Sequence, residues 1–194
     1  MRWFFQSADG ATLLRRARGL LLVAALAAGC AIQARADLTP SDVEAAYLYN
    51  FGKFVNWPPT QSSPAFTICT LGDDFGPTLE SLVANERMQG QKIAARRLAS
   101  IADAETCQIV FLGAGEESRL SRDLAALKGK PILTVSSLPG FLDRGGMIQF
   151  VIQNNRVRFA IGLANAEHTG LSLSSELLKV AAYVNPKSTG EAKP

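Results

Sequence analysis

The segment from Cys107 to Leu112 constrains the fold more than any other part of the sequence, because it contains the uninterrupted apolar run Ile109-Val110-Phe111. A strand that is apolar on both faces is typical of the centre of a parallel sheet covered by helices on either side. Further predicted strands over 65–71, 91–98 and 131–135 alternate with predicted helices over 76–84 and 116–127. The alternation predicts an α/β fold, a three-layer sandwich in which a mostly parallel central sheet carries helices on both faces.

A helix is predicted at the N-terminal side of this pattern. Ser41 is expected to cap it, with Glu44 three residues later at the capping-box spacing. Its apolar stripe continues to Val55, and Trp57-Pro58-Pro59 ends it because proline cannot continue a helical hydrogen-bond ladder.

The C-terminal side carries an antiparallel hairpin and a last helix. Gly145-Gly146 is expected to open the hairpin, and its turn is placed at Asn154-Asn155 because asparagine tolerates positive φ. The hairpin strands are predicted over 147–152 and 157–161, the last helix over 176–184, and a flexible polar tail over 186–194. Residues 37–185 are therefore expected to form a single domain.

The first 36 residues have the pattern of a cleaved signal peptide. Arginines at positions 15, 16 and 18 precede an apolar run of 11 residues that ends at Gly29, far short of the roughly 20 that a transmembrane helix needs. The small residues Ala34 and Ala36 predict cleavage between Ala36 and Asp37. Two alternatives stay open, a lipid anchor at Cys30 and export by the twin-arginine route.

Removal of this segment changes the charge of the chain. The whole chain has 20 basic and 17 acidic side chains, and residues 1–36 contain five of the former and one of the latter. The mature chain therefore carries 15 basic and 16 acidic side chains, a net charge of −1. No basic footprint for DNA or RNA remains. His168 is the only histidine in the sequence, which excludes a multi-histidine metal site.

Two cysteines, Cys69 and Cys107, remain after cleavage. In an exported chain they are expected to form one structural disulfide, with two free thiols as the alternative. Their separation of 38 residues excludes a Cys-x-x-Cys redox centre.

Three sequence patterns resemble catalytic or binding motifs, and each has a simpler interpretation. Gly113-Ala114-Gly115-Glu116-Glu117-Ser118 follows a strand as a dinucleotide-binding turn does, but it lacks the third glycine and places carboxylates where a pyrophosphate would bind. Asp73-Asp74 is better explained as a helix cap than as an acid–base pair. Ser174-Ser175 would need His168 as its base, and His168 is expected on the surface. We therefore predict no catalytic residues, no cofactor and no metal.

Two places are candidates for binding another protein. The first helix is rich in aromatic residues (Tyr47, Tyr49, Phe51, Phe54 and Trp57), which are expected to anchor it on the sheet and otherwise to form a partner surface. Gly170 interrupts the helical pattern, so that Leu171 is expected to face solvent. The candidate partner-binding residues are Tyr49, Leu171 and Leu173.

Three motifs, in this order after a signal peptide, resemble the YfiR-like family of periplasmic proteins. They are Ala45-Ala46-Tyr47-Leu48-Tyr49-Asn50-Phe51-Gly52-Lys53-Phe54-Val55-Asn56-Trp57-Pro58, the hairpin segments 146–151 and 157–161, and Gly170-Leu171-Ser172-Leu173-Ser174-Ser175-Glu176-Leu177-Leu178-Lys179. The resemblance implies a periplasmic α/β domain without an active site. It also implies a disulfide at Cys69 and Cys107, while the second cysteine pair of some members, near the hairpin, is absent from 147–155.

The resemblance further implies a regulatory role and partners. The expected function is a non-enzymatic regulator that binds the periplasmic sensor domain of a YfiN-like inner-membrane diguanylate cyclase and holds it inactive, which lowers cyclic di-GMP signalling and so affects biofilm regulation. A YfiB-like outer-membrane lipoprotein would sequester the repressor, and a homodimer is a further option. The alternative function is a periplasmic module that binds a small ligand.

Overall fold

A sheet of eight strands organises the part of the chain that the computed structural model describes, residues 38–59, 64–72 and 75–186. The predicted signal peptide with its cleavage site and Cys30, and all but the first residue of the predicted tail, lie outside these ranges. In chain order the strands are β1 (Val55–Asn56), β2 (Ala65–Leu71), β3 (Arg87–Met88), β4 (Gln91–Arg97), β5 (Ile109–Leu112), β6 (Leu133–Ser136), β7 (Ile148–Gln153), β8 (Arg156–Gly162), β9 (Ser172–Leu173) and β10 (Tyr183–Asn185).

The order of strands in the sheet is β10-β8-β7-β6-β5-β2-β4-β3, and β1 pairs separately with β9. The five strands from β4 to β7 in this order run parallel, and β7 and β8 form the antiparallel hairpin. The hairpin turn has φ of 51° at Asn154 and 56° at Asn155, which confirms the predicted left-handed turn. β10 is parallel to β8 and ends the sheet on that side.

Helices cover both faces of the sheet, as predicted. They are α1 (Pro40–Phe54), α2 (Pro77–Val83), α3 (Leu120–Leu127), α4 (Leu163–Glu167) and α5 (Ser175–Val180), with short 3₁₀ turns at Ile101–Thr106, Ala114–Glu116 and Leu142–Arg144. One core lies under α1, α2 and α5, and a second core lies under α3. In β5, Ile109 and Phe111 belong to the first core and Val110 and Leu112 to the second, which explains its unbroken apolar sequence.

The start of α1 differs from the prediction. Thr39, not Ser41, caps the helix, and the capping box is closed by Asp42, whose carboxylate accepts hydrogen bonds from the Thr39 backbone N–H (2.9 Å) and hydroxyl (2.8 Å). The reason is Pro40, since proline fits the first helical position and sets the cap one residue before it. The hydrogen bond from the Thr39 backbone, followed by those from the Thr39 and Thr78 side chains, lowers the pKa of Asp42.

Three further element boundaries were predicted wrongly. α1 ends at Phe54 because Val55 and Asn56 pair with β9. The predicted helix 116–127 is a 3₁₀ turn followed by a helix that starts only at Leu120. The predicted helix 176–184 ends at Val180, since the residues that follow extend the sheet as β10.

Aromatic rings fix α1 to the hairpin. Tyr47 and Phe51 of α1 pack against Phe150 of β7 and Phe159 of β8, with ring centroids 5.1–5.9 Å apart in each of the four pairs. Such separations are those of stacked and edge-to-face aromatic pairs. The interpretation of the aromatic residues as anchors of the helix therefore holds for Tyr47 and Phe51.

A disulfide joins Cys69 in β2 to Cys107, the residue two positions before β5. Both cysteines are fully buried in the core under α3. The bridge connects two neighbouring strands of the sheet and agrees with the expected pairing.

The first testable prediction compares two phenylalanines of α1. Phe51 is 1% exposed and Phe54 is 39% exposed. We expect Phe51→Ala to lower the free energy of unfolding by about 3–5 kcal/mol because it leaves a cavity among the rings, and Phe54→Ala to cost less than about 1 kcal/mol. Both changes alter helix propensity equally, so urea denaturation of the two variants isolates the packing contribution. Equal losses would contradict the anchoring role.

The second prediction concerns the disulfide. Cys69→Ser is expected to lower the free energy of unfolding by about 2–5 kcal/mol, because the unfolded chain is no longer cross-linked. Urea denaturation with and without reductant measures this loss, and reductant should have no effect on a Cys69→Ser/Cys107→Ser control. An unchanged midpoint for the wild type in reductant would show that the bridge does not stabilise the fold.

Candidate functional site

The carboxyl ends of β2 and β5 form the place where ligands bind in many α/β folds. After β2 the chain adds β4 on one side, and it then returns to add β5 on the other side. The connections thus leave β2 and β5 in opposite directions, and such a switch point opens a crevice at the sheet edge. Gly72 and Gly113 are the first residues beyond the two strands, so the crevice is bordered by the predicted candidate segment 113–118.

The protein's own backbone closes this crevice. The Gly115 N–H donates to the Gly72 carbonyl oxygen at 3.2 Å, and a Cβ on Gly115 would lie 2.5 Å from that oxygen. The Glu116 side chain also lies against Gly72, where an added Cβ would be 2.6 Å from the Glu116 Cγ. This packing supports the interpretation of residues 113–118 as a tight turn, because a phosphate group has no room beside these amides.

A buried pair of carboxyl groups, Glu116 and Asp123, lies behind the turn. Glu116 is 3% exposed and Asp123 is 1% exposed. Arg119 donates to both oxygens of Glu116, at 3.0 and 2.7 Å, and Arg122 Nε lies 3.4 Å from Asp123 Oδ1. The other oxygen of Asp123, Oδ2, is buried and has no hydrogen-bond donor among the described residues.

Burial, followed by the interaction with the Glu116 side chain, raises the pKa of Asp123. When Asp123 is protonated it can donate to Glu116, and the two carboxyl groups then share one proton and carry one negative charge instead of two. The sequence analysis considered Glu116 and missed Asp123. The two are seven residues apart, about two helical turns, and this spacing places side chains on the same side of a helix. Because both carboxyl groups are shielded from solvent, neither is placed to touch a substrate.

The other polar candidates are placed as follows. Asp73 and Asp74 lie outside the described residues. Ser174 caps α5, and its hydroxyl accepts a hydrogen bond from the Leu177 N–H at 3.2 Å. His168 is exposed and lines a cleft to which neither Ser174 nor Ser175 contributes. The structure therefore does not bring the serine and the histidine together.

The expectation that Leu171 faces solvent is wrong. Leu171 is 2% exposed and belongs to the core under α1. Gly170 has φ of 80°, and this left-handed turn directs the next residue inward, where its N–H bonds to the Ala166 carbonyl. Leu173 is half-buried and pairs with Val55.

Tyr49, the third candidate for partner binding, is also half-buried. Its hydroxyl donates to Glu86 Oε2 at 2.5 Å, and Lys53 Nζ lies 4.0 Å from the centre of its ring. These contacts join α1 to the segment before β3 and hold the ring in place.

A different set of apolar side chains is exposed, at the end of the sheet formed by the hairpin and β10. Ile152 is 66% exposed, Val180 55% and Tyr183 52%. All three lie beside β8: Ile152 is opposite Val157, Tyr183 is paired with Ala160, and the Val180 carbonyl accepts a hydrogen bond from Arg158. Val157 belongs to the core under α1 and Ala160 to the core under α3, so Ile152 and Tyr183 project from opposite faces at this end of the sheet. We call these three residues together the hairpin-end patch. The sequence analysis did not single them out, since it placed Ile152 in a hairpin strand and Val180 and Tyr183 together in the last helix.

A cleft of about 610 Å³ lies on the α3 side of the sheet. Its walls are the C-terminal half of α3, the turn at 142–145 and the end of α4. The charged and titratable side chains of its lining are Lys128, Asp143, Arg144 and His168.

Neither a metal-binding cluster nor a membrane-spanning helix is found in the described part of the chain. Within residues 38–59, 64–72 and 75–186, no group of three or more histidine, cysteine, aspartate or glutamate side chains is arranged to hold a metal ion. None of the helices in those ranges combines the length and the apolar character that crossing a membrane requires.

Comparison with protein families gives a match over most of this domain. The model of the family described as YfiR/HmsC-like matches residues 41–182, from the first turn of α1 to the residue before β10. The chain belongs to the YfiR/HmsC-like family. No curated protein matches the chain.

Comparison of this YfiR/HmsC-like chain with solved structures gives matches of low sequence identity. A conserved domain protein from Vibrio cholerae O1 biovar El Tor is 12% identical, with a TM-score of 0.51, over 76% of this chain and 61% of its own. An "ABC domain in complex with L-Trp" from Streptococcus pneumoniae is also 12% identical, with a TM-score of 0.48, over 75% of this chain and 60% of its own. The chain thus spans about 60% of the length of each.

The three motifs that resemble the family meet in the folded protein. The first forms α1 and β1, the second forms β7 and β8, and the third forms β9 and α5. β1 pairs with β9, and the rings of α1 pack on those of the hairpin. The three motifs therefore form one connected half of the domain, next to the hairpin-end patch.

The third prediction tests the shared proton. The pKa of Asp123 is raised in the folded protein, so the folded state holds this proton more tightly than the unfolded state does. The stability contributed by Asp123 therefore increases as pH falls from above the raised pKa toward the model value of 3.8, and it is lost again as pH rises. Asp123→Asn keeps a donor toward Glu116 without the charge. We expect it to raise the free energy of unfolding near neutral pH by about 1 kcal/mol, and less in acid.

Urea denaturation across the pH range measures this difference. Asp143→Asn removes a carboxylate from an exposed residue and serves as the control, with no comparable trend expected. A loss of stability of the same size at every pH in Asp123→Asn would show that the two carboxyl groups do not share a proton.

Proposed function

We propose that this protein is a periplasmic, non-enzymatic regulator that binds the sensor domain of a YfiN-like inner-membrane diguanylate cyclase and keeps it inactive. Membership of the YfiR/HmsC-like family supports the regulatory role. The observation that carries the binding mode is the hairpin-end patch, because Ile152, Val180 and Tyr183 are large apolar side chains that remain more than half exposed.

The disulfide supports the proposed compartment. Disulfides persist in oxidising surroundings such as the bacterial periplasm and are rare in the cytosol. The bridge between Cys69 and Cys107 is fully buried and spans two strands, so it is a structural part of the domain. The N-terminal segment with its predicted cleavage after Ala36 provides the means of export.

Two of the polar residues that were considered for catalysis, Glu116 and Ser174, have structural roles, which supports regulation by contact. Glu116 fills the crevice at the switch point, and Ser174 caps a helix. A regulator of this kind changes activity only if it binds the inactive form of the cyclase better than the active form. A shift from 1% to 99% of the inactive form requires a ratio of affinities of about 10⁴.

The hairpin-end patch has the features of a site for such contact. A few large side chains that a partner fully covers, tyrosine among them, supply most of the binding energy at protein interfaces. β10 is the last strand on its side of the sheet within the described residues, so its outer edge adds backbone donors and acceptors to the patch. We propose that the cyclase sensor domain binds here, and that a YfiB-like lipoprotein or a second copy of the chain competes for the same surface.

The fourth prediction is a cellular test. Deletion of the gene should raise cyclic di-GMP, and expression of the wild-type protein should restore the original level. Ile152→Asp is expected to fail in this restoration, because an interface residue of this kind contributes roughly tenfold or more in affinity. The variant should still fold, since Ile152 is 66% exposed.

Ala99→Asp provides the matched control, because it adds the same charge at an exposed residue near the opposite end of the sheet. It should restore the level as the wild type does when both proteins are present in equal amounts in the periplasm. An unchanged cyclic di-GMP level on deletion would overturn the proposed repression. Full restoration by Ile152→Asp would overturn the proposed surface alone.

A further inference from the structure

We infer that the cleft on the α3 side binds a small organic anion with an apolar body. This inference goes beyond the proposed regulation and does not depend on it. The cleft volume of about 610 Å³ lies within the range of about 300–1,000 Å³ that is usual for small-molecule sites. Nothing in the regulation by protein contact requires a cavity of this size.

The floor of the cleft is apolar. Leu124, Leu127 and Met147 line it and are 8%, 3% and 5% exposed. Thr134 also lies at the floor, but its hydroxyl already accepts a hydrogen bond from the Met147 N–H at 3.2 Å. The floor therefore offers mainly apolar contacts, which suit the hydrocarbon part of a ligand.

The rim of the cleft carries the charged groups. Arg144 donates from Nε (3.3 Å) and Nη2 (3.1 Å) to the Ser121 hydroxyl, which fixes the guanidinium beside α3 and leaves its other N–H groups for a ligand. Lys128 lies at the end of α3. Within the described residues neither cation has an ion-pair partner. A carboxylate bound beside Arg144 or Lys128 would gain charge-assisted hydrogen bonds.

Two features of the cleft oppose the binding of an anion, but together they do not cancel the positive charges of Lys128 and Arg144. Asp143 offsets one of the two positive charges. The carboxyl ends of α3 and α4 carry partial negative charge, but their last turns are partly capped: Lys128 N–H bonds to the Ala125 carbonyl, and Thr169 bonds to the Ala166 carbonyl. α4 has only five residues, so its dipole is small. Lys128 and Arg144 each carry a whole positive charge and line the cleft.

The test uses three probes that share one body and differ in the head group. They are 3-phenylpropanoate, 3-phenylpropan-1-ol and 3-phenylpropylamine, which are negative, neutral and positive at neutral pH. Each is titrated into the mature protein while the methyl NMR signals of Leu124, Leu127 and Met147 are followed. We expect the carboxylate to bind most tightly, and the methyl signals of these three residues to report its binding.

Two variants assign the charge preference to the rim. Arg144→Gln and Lys128→Gln are each expected to weaken 3-phenylpropanoate binding by about tenfold and to leave binding of the alcohol nearly unchanged. Lys128 is exposed, so its variant retains the fold even if loss of the Ser121 contact disturbs Arg144→Gln. Arg156→Gln, at an exposed arginine of the hairpin, is the control and should leave all three affinities as they are.

Several outcomes would overturn the inference. Equal affinity for the three probes would show that the rim does not select an anion. Binding that shifts other methyl groups and not those of the cleft floor would place the site elsewhere. A failure of the carboxylate to bind would remove the site, and a charge preference that survives both rim variants would remove the assignment to Arg144 and Lys128.

Discussion

The burial of β5 on both faces is the constraint on which the rest of the domain depends. Ile109, Val110, Phe111 and Leu112 are each 3% exposed or less, and alternate residues point into two separate cores. A strand of this kind is stable only when each face is covered, so the chain must supply helices to both sides and strands to both edges. The parallel partners β2 and β6 and the helices α1 and α3 meet these requirements. The disulfide then ties the start of β5 to β2.

The two cores differ in composition. The core under α1 includes the rings of α1 and of the hairpin. The core under α3 is mainly aliphatic, with Phe141 and the disulfide as its exceptions. The cleft lies at the end of α3, and its lining also includes Met147 of the core under α1. No residue of the hairpin-end patch lines the cleft, so a substitution can alter one of the two proposed sites without the other.

Strongly patterned segments of the sequence predicted their structures well. The apolar run of β5, the span of β2 and the asparagine turn at 154–155 follow from strand burial and turn chemistry that act within a few residues. The errors arose where the structure depends on a backbone angle or on a distant contact that the sequence pattern does not reveal. Leu171 turns inward because Gly170 adopts positive φ, and Tyr183 leaves the helical pattern because the edge of β8 is open to it. The raised pKa of Asp123 was out of reach as well, since burial and not residue type is its largest cause.

The β1–β9 pair has a consequence for how the chain acquires its fold during synthesis. Val55 and Asn56 are among the first residues of the domain to be synthesised, and their partners Leu173 and Ser172 are among the last. The ring partners of Tyr47 and Phe51, in the hairpin, are also synthesised late. Through most of synthesis, α1 therefore presents an uncovered aromatic face, which is the kind of surface that aggregates or binds chaperones. The domain closes only when its C-terminal quarter arrives, and truncation there leaves the earliest helix without its partners.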